Sequence, residues 1–465
     1  MKAKPNILFF FTDDQRFDTL GALSRLPVQT PHLDQLARDG TVFTQAHIPG
    51  GTCPAVCMPS RAMLHTGRTL FHLEREGQEI PDAHITLGEC LRQAGYTTCG
   101  IGKWHNGRRA YARSFSGGAK IFLSGMGDHW NVPVYDFDPA GRYAGRWPYV
   151  PDPFYKNRLE FRECDHIAAG KHSTDLFVDA AIEFLRSDDG ARPFFLYVSL
   201  MAPHDPRTMP EKFRQMYDPA QIELPANFAA EHAIDTGALR IRDELLAAFP
   251  RRPDEIRRHL AEYYAMISHL DDAFGRLMSA LRASGRYDQT IIVFASDNGL
   301  ALGQHGLMGK QSLYDHSVRV PLVFAGPGIP RGERRDQLVY LLDIFPTFCE
   351  LAGLAPPASV EGRSLGNCLR DAAGQGRPEL YLAYEKSIRG ISDSRYKLIE
   401  YAGGATQLFD RQSDPWEMHN LAADNSSRSV LAERRQKLAA LAAEWDDQNY
   451  PAGSDFWQHR PDLKP

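Results

Sequence analysis

Four short strand-like runs restrict the fold of this chain more than any other feature of its sequence. They are NILFFFT (6–12), YTTCGIG (96–102), PFFLYVSL (193–200) and TIIVFAS (290–296). Three of them are continuous apolar runs, which are typical of strands buried on both faces of a sheet. Helix signals separate the runs, so the sequence predicts an α/β fold with a large, mostly parallel sheet flanked by helices.

Each helix signal consists of residues typical of a helix N-terminus, followed by an amphipathic stretch. Thr30 and Pro31 begin one predicted helix, and Thr86 with Glu89 forms a capping-box pair before another. Residues 256–282 repeat apolar side chains at helical spacing and predict one long amphipathic helix.

The chain of 465 residues is long enough for two structural units. We expect a large domain over residues 1–370, which would hold the functional site. A smaller α+β subdomain is expected over 371–465, with short strands in an antiparallel sheet and a helix around 428–446.

Residues 106–170 are rich in Gly, Pro, Tyr and Trp and have weak periodicity, as is typical of a functional loop or lid. Aromatic side chains in this insertion either stack on the sugar rings of a ligand or pack within the loop, and both interpretations stay open. These side chains are Trp130, Tyr135, Phe137, Trp147, Tyr149, Phe154 and Tyr155.

Composition excludes several functional classes. The chain is 43% hydrophobic and 24% charged, with a net charge of −5 and no Lys/Arg run, so we expect no nucleic-acid partner. No apolar segment approaches transmembrane length, so we expect no membrane partner. Seven cysteines, an odd number without framework spacing, do not resemble a disulfide scaffold.

The N-terminal apolar run is only about half as long as the core of a signal peptide, and Asp13 and Asp14 follow it directly. We therefore expect a cytoplasmic protein, or a periplasmic or secreted one if an export signal has been removed. The oligomeric state cannot be predicted from this sequence.

Polar side chains follow each of the four predicted strands. Each residue alone has an ordinary explanation as a turn or loop residue. Their coincidence favours a functional site, because ligands bind at the carboxyl ends of the strands in open α/β sheets. The residues are Asp13 and Asp14, Lys103 and His105, His204 and Asp205, and Asp297 and Asn298.

The chemistry of these residues favours a hard cation and an anionic substrate. Asp13, Asp14, Asp297 and Asn298 form an all-oxygen ligand set, which suits Ca²⁺ or Mg²⁺ rather than zinc. Lys103, Lys310 and two or three histidines would surround the metal with positive charge. Sulfate and phosphate esters are the candidate substrates.

The segment TCPAVCMPSR (52–61) contains two cysteines at the start of a predicted short helix, with Pro59 near its first position and Gly67 at its end. Cys57 could form a disulfide with Cys53, bind zinc, or act as a thiolate at the positive pole of the helix. The odd cysteine count weakens the first alternative, and the absence of a second cysteine pair weakens the second.

A family resemblance decides between these alternatives. CMPSRAMLHTGR (57–68) resembles the signature of the type I sulfatases, in which the cysteine is oxidised after translation to formylglycine. NILFFFTDDQR, GIGKWHNG, ASDNG and the segment GQHGLMGKQSLYDHSVRVPLV are similar to further family segments, as is LFDRQSDPWEMHNLA (408–422). The resemblance covers nearly the whole chain and implies an alkaline-phosphatase-like fold.

The resemblance implies a role for each matching residue. The metal ligands would be Asp13, Asp14, Asp297, Asn298 and an oxygen of formylglycine 57, with Ca²⁺ the usual ion and Mg²⁺ or Mn²⁺ as alternatives. The other catalytic residues would be Arg61, Lys103, His105, His204 and Lys310. Of these, Lys103, Lys310 and His204 would contact the sulfate, His204 would protonate the leaving alcohol, and His105 would act on the formylglycine hydroxyl.

The resulting functional expectation is a sulfuric ester hydrolase that acts on a sulfated sugar or glycan after a maturation enzyme has converted Cys57. Asp205 and Arg207 are candidate substrate-binding residues beside His204. The enzymatic alternatives are a phosphonate monoester or phosphodiester hydrolase and an arylsulfatase of small esters. The non-enzymatic alternative is a sulfoglycan-binding homologue with unmodified Cys57.

Overall fold

The structure is a computed structural model, and it describes residues 4–463 of the chain. The strands, in chain order, are β1 (Asn6–Thr12), β2 (Gly40–Phe43), β3 (Ala46–His47), β4 (Gly50–Gly51), β5 (Thr97–Lys103), β6 (Gly117–Phe122), β7 (Asn131–Val134), β8 (Arg146–Tyr149), β9 (Glu160–Glu163), β10 (His166–Ala169), β11 (Phe194–Ser199), β12 (Thr290–Ser296), β13 (Leu322–Ala325), β14 (Glu333–Arg335), β15 (Val339–Tyr340), β16 (Leu380–Tyr384), β17 (Ile388–Ser392), β18 (Tyr396–Tyr401) and β19 (Thr406–Asp410).

The helices follow the same order. They are α1 (Pro31–Asp39), α2 (Cys57–Thr66), α3 (Leu87–Gln93), α4 (Arg108–Ser114), α5 (Ser173–Ser187), α6 (Glu211–Arg214), α7 (Pro253–Ala283), α8 (Asp315–Val318), α9 (Ile344–Leu351), α10 (Gly366–Arg370), α11 (Arg428–Glu444) and α12 (Pro451–His459). The capping box predicted at Thr86 and Glu89 is present at the start of α3.

The larger sheet has β1 near its centre and the strand order β14-β2-β13-β12-β1-β11-β5-β6. The five strands from β12 to β6 are parallel, while β13 pairs antiparallel with both β12 and β2. The predicted α/β fold with a mixed, mostly parallel sheet is therefore confirmed. The four predicted strand runs are β1, β5, β11 and β12, all in its parallel part.

Side chains of β1 alternate between two hydrophobic cores, one on each face of the sheet. Ile7, Phe9 and Phe11 pack in the core that contains residues of α2, α3 and α9. Leu8 and Phe10 pack in the core with residues of α1, α5 and α7. All seven residues of β1 are buried, which explains why its sequence is a continuous apolar run.

The smaller sheet has the order β19-β18-β17-β16-β4 and is antiparallel except at its last pair. Its last strand, β4, comes from the N-terminal half of the chain and lies six residues before Cys57. A β carbon on Gly50 would lie 2.0 Å from the carbonyl oxygen of Ala383, so this close pairing requires glycine.

Helix α2 packs between two cores. Leu64 belongs to the core that contains Phe9 of β1. Ala62 and Met63 belong to a third core, which contains Leu438 and Trp445 of the C-terminal region. The smaller sheet and its helices therefore support the helix that begins at Cys57.

The insertion 106–170 is more regular than its composition predicts. It contains α4, the edge strand β6 of the larger sheet, and two antiparallel ribbons, β7 with β10 and β8 with β9. Across residues 4–463, no helix is both long enough and apolar enough to cross a membrane.

Asp447 anchors the C-terminal helices to the smaller sheet. Its buried carboxylate accepts hydrogen bonds from Arg389 Nε (2.7 Å), Arg389 Nη2 (2.9 Å), the Tyr381 hydroxyl (2.6 Å) and Trp457 Nε1 (2.7 Å). The neighbouring Asp446 is exposed and pairs with His72 on the surface.

We predict that Asp447→Asn lowers the free energy of unfolding by about 3 kcal/mol, because it leaves the buried Arg389 guanidinium without a counter-charge. The matched control, Asp446→Asn, is expected to cost less than about 1 kcal/mol because its ion pair is exposed. Urea denaturation followed by tryptophan fluorescence measures both values. Similar losses in the two variants would contradict this account.

Candidate active site

The acidic residues predicted after β1 and β12 lie side by side. The two strands are parallel neighbours with Thr12 opposite Ser296, so Asp13 and Asp297 leave the sheet at the same level. The backbone N–H of Asp14 donates to Asp297 Oδ1 at 3.0 Å, and Asn298 Nδ2 donates to Asp14 Oδ1 at 2.6 Å. All four side chains are buried.

Three cationic side chains neutralise the three carboxylates. Lys103, at the end of β5, contacts Asp13, and Lys310 Nζ lies 2.6 Å from Asp14 Oδ1. Arg61 Nε lies 2.8 Å from Asp297 Oδ2. These three cations are as deeply buried as the acids, so each charge depends on its partners for compensation.

The pKa values of Asp13 and Asp297, which follow β1 and β12, are shifted in opposite directions. Burial, reinforced by the charge of Asp13, raises the pKa of Asp297 to about 7. Burial alone would also raise the pKa of Asp13, but the charges of Lys103, His204 and Arg61 outweigh it and place that pKa well below its usual range.

The oxygen atoms in this cluster fit a hard divalent cation. Within the described part of the chain, Asp13 Oδ1 and Asn298 Oδ1 are buried and have no hydrogen-bond partner. Ligand atoms of Asp13, Asp14 and His204 lie within 4.8 Å of one another, as do those of Asp13, Cys57 and Asp297. Oxygen ligands dominate this set, as Ca²⁺ and Mg²⁺ require.

Cys57 is the first residue of α2, and its Sγ lies 3.6 Å from His105 Nδ1 and 3.9 Å from Lys103 Nζ. The helix therefore begins two residues earlier than predicted. Pro59 lies within the first turn, where its missing N–H has no helical partner to lose. Gly67 ends the helix as expected, with a φ of 65°.

The surroundings of Cys57 do not favour a thiolate or a disulfide. Burial raises the pKa of the Cys57 thiol to about 11, despite the opposing charges of Lys103 and Lys310. Cys53 and Cys57 are both free thiols, and the Cys53 Sγ points to the Ala55 carbonyl oxygen at 3.7 Å. An unmodified Cys57 is thus protonated at neutral pH and is a weak nucleophile.

His204 is held so that one ring nitrogen faces the cluster. Its Nδ1 donates to the backbone oxygen of Asp205 at 2.8 Å, and its Nε2 lies 3.7 Å from Asp14 Oδ2. The Asp205 carboxylate lies 3.5 Å from His204 Nδ1 and binds Arg242 through both oxygens. His129 Nε2 donates to the His204 carbonyl oxygen at 3.0 Å.

His105 is also next to Cys57, and burial, reinforced by Lys103 and Arg61, lowers its pKa well below the usual range. Its ring is therefore neutral at pH 7. Arg207 does not join the cluster: its Nη2 lies 3.0 Å from His259 Nδ1, against α7.

Several supporting residues could not be identified from the sequence. Ser199 accepts a hydrogen bond from Arg61 Nη1 at 2.6 Å, and Ser60 Oγ donates to the backbone oxygen of Asp297 at 2.6 Å. The Gly125 carbonyl oxygen accepts from Lys103, and Arg242 braces Asp205. Only Ser199 had a local signal, since it is the second-last residue of the predicted strand 193–200.

A divalent cation bound by this cluster, such as Ca²⁺, is expected to stabilise the protein, because an ion that binds only the folded state shifts unfolding to higher temperature. We predict a rise of about 3–5 °C in the melting temperature when excess Ca²⁺ replaces EDTA. Asp14→Asn should lose most of this rise. Asp243→Asn, which alters a carboxylate outside the ligand group, should retain it.

Differential scanning fluorimetry with and without Ca²⁺ measures the rise in each protein. Because each variant is compared with itself, a general loss of stability does not affect the result. An equal rise in wild type and Asp14→Asn would contradict the assignment of this cluster as the metal site.

Comparison with known proteins gives matches along most of the chain. Residues 5–354 match the Sulfatase family, and residues 303–444 match the C-terminal region of N-sulphoglucosamine sulphohydrolase. A sulfatase of Formosa agariphila is 29% identical, covering 96% of this chain and 89% of its own. An N-acetylglucosamine-6-O-sulfatase of Bacteroides thetaiotaomicron is 25% identical, covering 96% and 87%.

Two solved structures share the fold. The complex of BT4656 with its substrate D-glucosamine-2-N,6-O-disulfate has a TM-score of 0.74 at 23% identity, covering 96% of this chain and 99% of the other. The phosphonate monoester hydrolase of Agrobacterium radiobacter has a TM-score of 0.73 at 24% identity, covering 95% and 96%.

Proposed function

The chain belongs to the sulfatase family and is a sulfuric ester hydrolase, and we propose that its substrates are O-sulfate esters of a sugar or glycan. The observation that carries this proposal is the buried ring of Lys103, Lys310 and Arg61 around Cys57 and the acidic cluster. Positive donors in a dry pocket suit the negative charge on the non-bridging oxygens of a sulfate group.

Support for a sugar or glycan substrate comes from the relatives. One of them is named for an N-acetylglucosamine 6-O-sulfate, and its similarity to this chain extends over 96% of the residues. We therefore propose that the substrate of this protein is also a sulfated sugar, and the proposal does not include the position of its sulfate group.

We propose that residue 57 acts as formylglycine rather than as cysteine. The high pKa of the buried thiol argues against a thiolate nucleophile. A hydrated aldehyde at this position supplies a hydroxyl that can attack sulfur and a second hydroxyl that allows release of sulfate. The conversion requires a maturation enzyme, which we propose as a partner of this chain.

Enzymes of this family depend on a metal, and we propose Ca²⁺ held by Asp13, Asp14, Asp297 and Asn298. When bound, the ion would act as a Lewis acid toward oxygens of residue 57 and of the sulfate. Mg²⁺ or Mn²⁺ in the same oxygen-rich cluster is the alternative.

The protein side chains have separate roles in the proposed reaction. Lys103 and Lys310 bind sulfate oxygens, and Arg61 fixes Asp297 beside residue 57. His204, whose Nδ1 is held by the Asp205 backbone, presents Nε2 and protonates the leaving alcohol. His105, whose Nδ1 lies 3.6 Å from the Cys57 Sγ, accepts a proton from a hydroxyl at residue 57.

Cys57→Ala is expected to abolish turnover of sulfate esters, because it removes the precursor of the nucleophile. In wild-type protein from a host with the maturation enzyme, mass spectrometry of the tryptic peptide 39–61 should show loss of sulfur and gain of oxygen at Cys57. Full activity of protein whose peptide carries only an unmodified thiol would contradict the proposal.

Sulfate esters are expected to be hydrolysed with a kcat/KM at least roughly tenfold above that for phosphodiesters or phosphonate monoesters with the same leaving group. The phosphonate hydrolase is a second candidate because its fold is shared. Steady-state kinetics with 4-nitrophenyl sulfate and the matching phosphorus esters decides between them. A preference for the phosphorus esters would overturn the sulfatase assignment.

A further inference from the structure

A cleft of about 950 Å³ opens beside His105 and Gly125 and extends away from the catalytic cluster. One wall is the segment 74–82, and the other is formed by residues 105–110 and 123–125. Glu163, at the base of the β8–β9 hairpin, lines the same cleft. The cleft therefore connects the sulfate-binding centre to the hairpin.

The segment 74–82 contains two residues with an unfavourable backbone conformation and is held to α2 by hydrogen bonds from Asn106. Arg75 and Glu76 adopt left-handed φ angles of 46° and 59°, which are unfavourable for residues other than glycine. Asn106 Nδ2 donates to the carbonyl oxygens of Gly77 (2.6 Å) and Met58 (2.9 Å), which ties this wall to α2. The cleft is thus fixed relative to Cys57.

The three arginines that line the cleft are each paired with an acidic lining residue, and among the described residues Glu74 is a lining acid without an ion pair. Arg108 contacts Glu163, Arg109 Nη2 lies 2.5 Å from Asp82, and Arg75 Nη1 lies 3.5 Å from Glu79. Each arginine already has an acidic partner, so the cleft offers hydrogen-bond donors and acceptors without an excess of positive charge. This lining suits hydroxyl groups better than a chain of anions.

One face of the β8–β9 hairpin continues beyond the end of the cleft. Phe161 and Glu163 are two residues apart on β9, so they share a face, and Arg146 of β8 lies opposite Glu163 on that face. Phe161 is 47% exposed, and the Arg146 guanidinium carbon lies 4.6 Å from the centre of its ring. Trp147, opposite Arg162, lies on the other face and is 41% exposed.

An exposed aromatic ring beside paired polar groups is the usual composition of a sugar-binding surface, since a pyranose has apolar C–H faces and polar edges. Phe161 lies two strand residues, about 7 Å, beyond Glu163. That distance is comparable to one sugar residue. A saccharide that contacts Glu163 with one sugar therefore needs a further sugar to reach Phe161.

We propose that this cleft binds an oligosaccharide whose sulfated sugar lies at the catalytic cluster and whose next, uncharged sugars lie along the cleft and against Phe161. The inference rests on the proposed function and adds the size and charge of the substrate. Phe161 is a specificity-determining residue in this account, and the sulfate group supplies the anionic charge that the catalytic cations bind.

The test compares matched substrates: monosulfated monosaccharides, and neutral oligosaccharides that carry the same sulfated sugar at one end. Wild-type protein with formylglycine should have a higher kcat/KM on the oligosaccharide of a pair. Phe161→Ala should lower the oligosaccharide-to-monosaccharide ratio roughly five- to tenfold. Trp147→Ala, on the opposite face of the same hairpin, should keep the wild-type ratio.

Three results would overturn the inference: equal kcat/KM on both members of each pair, equal ratios in the two variants, or hydrolysis of 4-nitrophenyl sulfate without hydrolysis of any saccharide sulfate. A higher kcat/KM when the second sugar is a uronate would overturn its uncharged character. Failure of the converted protein on every sulfate ester, 4-nitrophenyl sulfate included, would instead refute the proposed function.

Discussion

The active site depends on a balance of charge in a pocket that excludes water. Three carboxylates, on Asp13, Asp14 and Asp297, face three cations on Arg61, Lys103 and Lys310, and each of these side chains is buried. An unpaired charge in such a place costs several kcal/mol. The fold must therefore bring five separate chain segments, which carry these six groups, to one point.

This requirement explains how much of the site could be predicted from sequence. Side chains at the carboxyl ends of adjacent parallel strands lie close together, and the structure brings Asp13, Asp297, Lys103 and His204 together in this way. These strands can be identified from the sequence because strands buried on both faces consist of continuous apolar runs, as in β1 and β12.

Contacts between distant segments left no local signal. Gly125 accepts from Lys103 through a backbone oxygen, which any residue provides, and Arg242 reaches Asp205 from an irregular loop. Strand β4 is a Gly–Gly pair that becomes a strand only because β16 lies beside it. Arg207, next but one to Asp205, turns instead toward α7, since side-chain direction after a strand depends on the loop path.

The smaller sheet also supports the catalytic cluster. Asp315, which follows the loop of Lys310, pairs with Lys397 of β18 (2.5 Å) and with Arg411 (2.8 Å). His305 of the same loop stacks on Tyr314 at 3.8 Å and donates to the Glu417 carbonyl oxygen. The loop that carries Lys310 is therefore held between the two sheets.

The pairing of β4 with β16 has a consequence for the order of events during synthesis. Residue 57 leaves the ribosome more than 300 positions before the strand that closes the sheet beside it. Until residues 380–384 arrive, the edge of β4 is open and α2 lacks part of its packing. In the finished protein Cys57 is 3% exposed. The β4–β16 pairing therefore completes the packing around a residue that the finished fold buries.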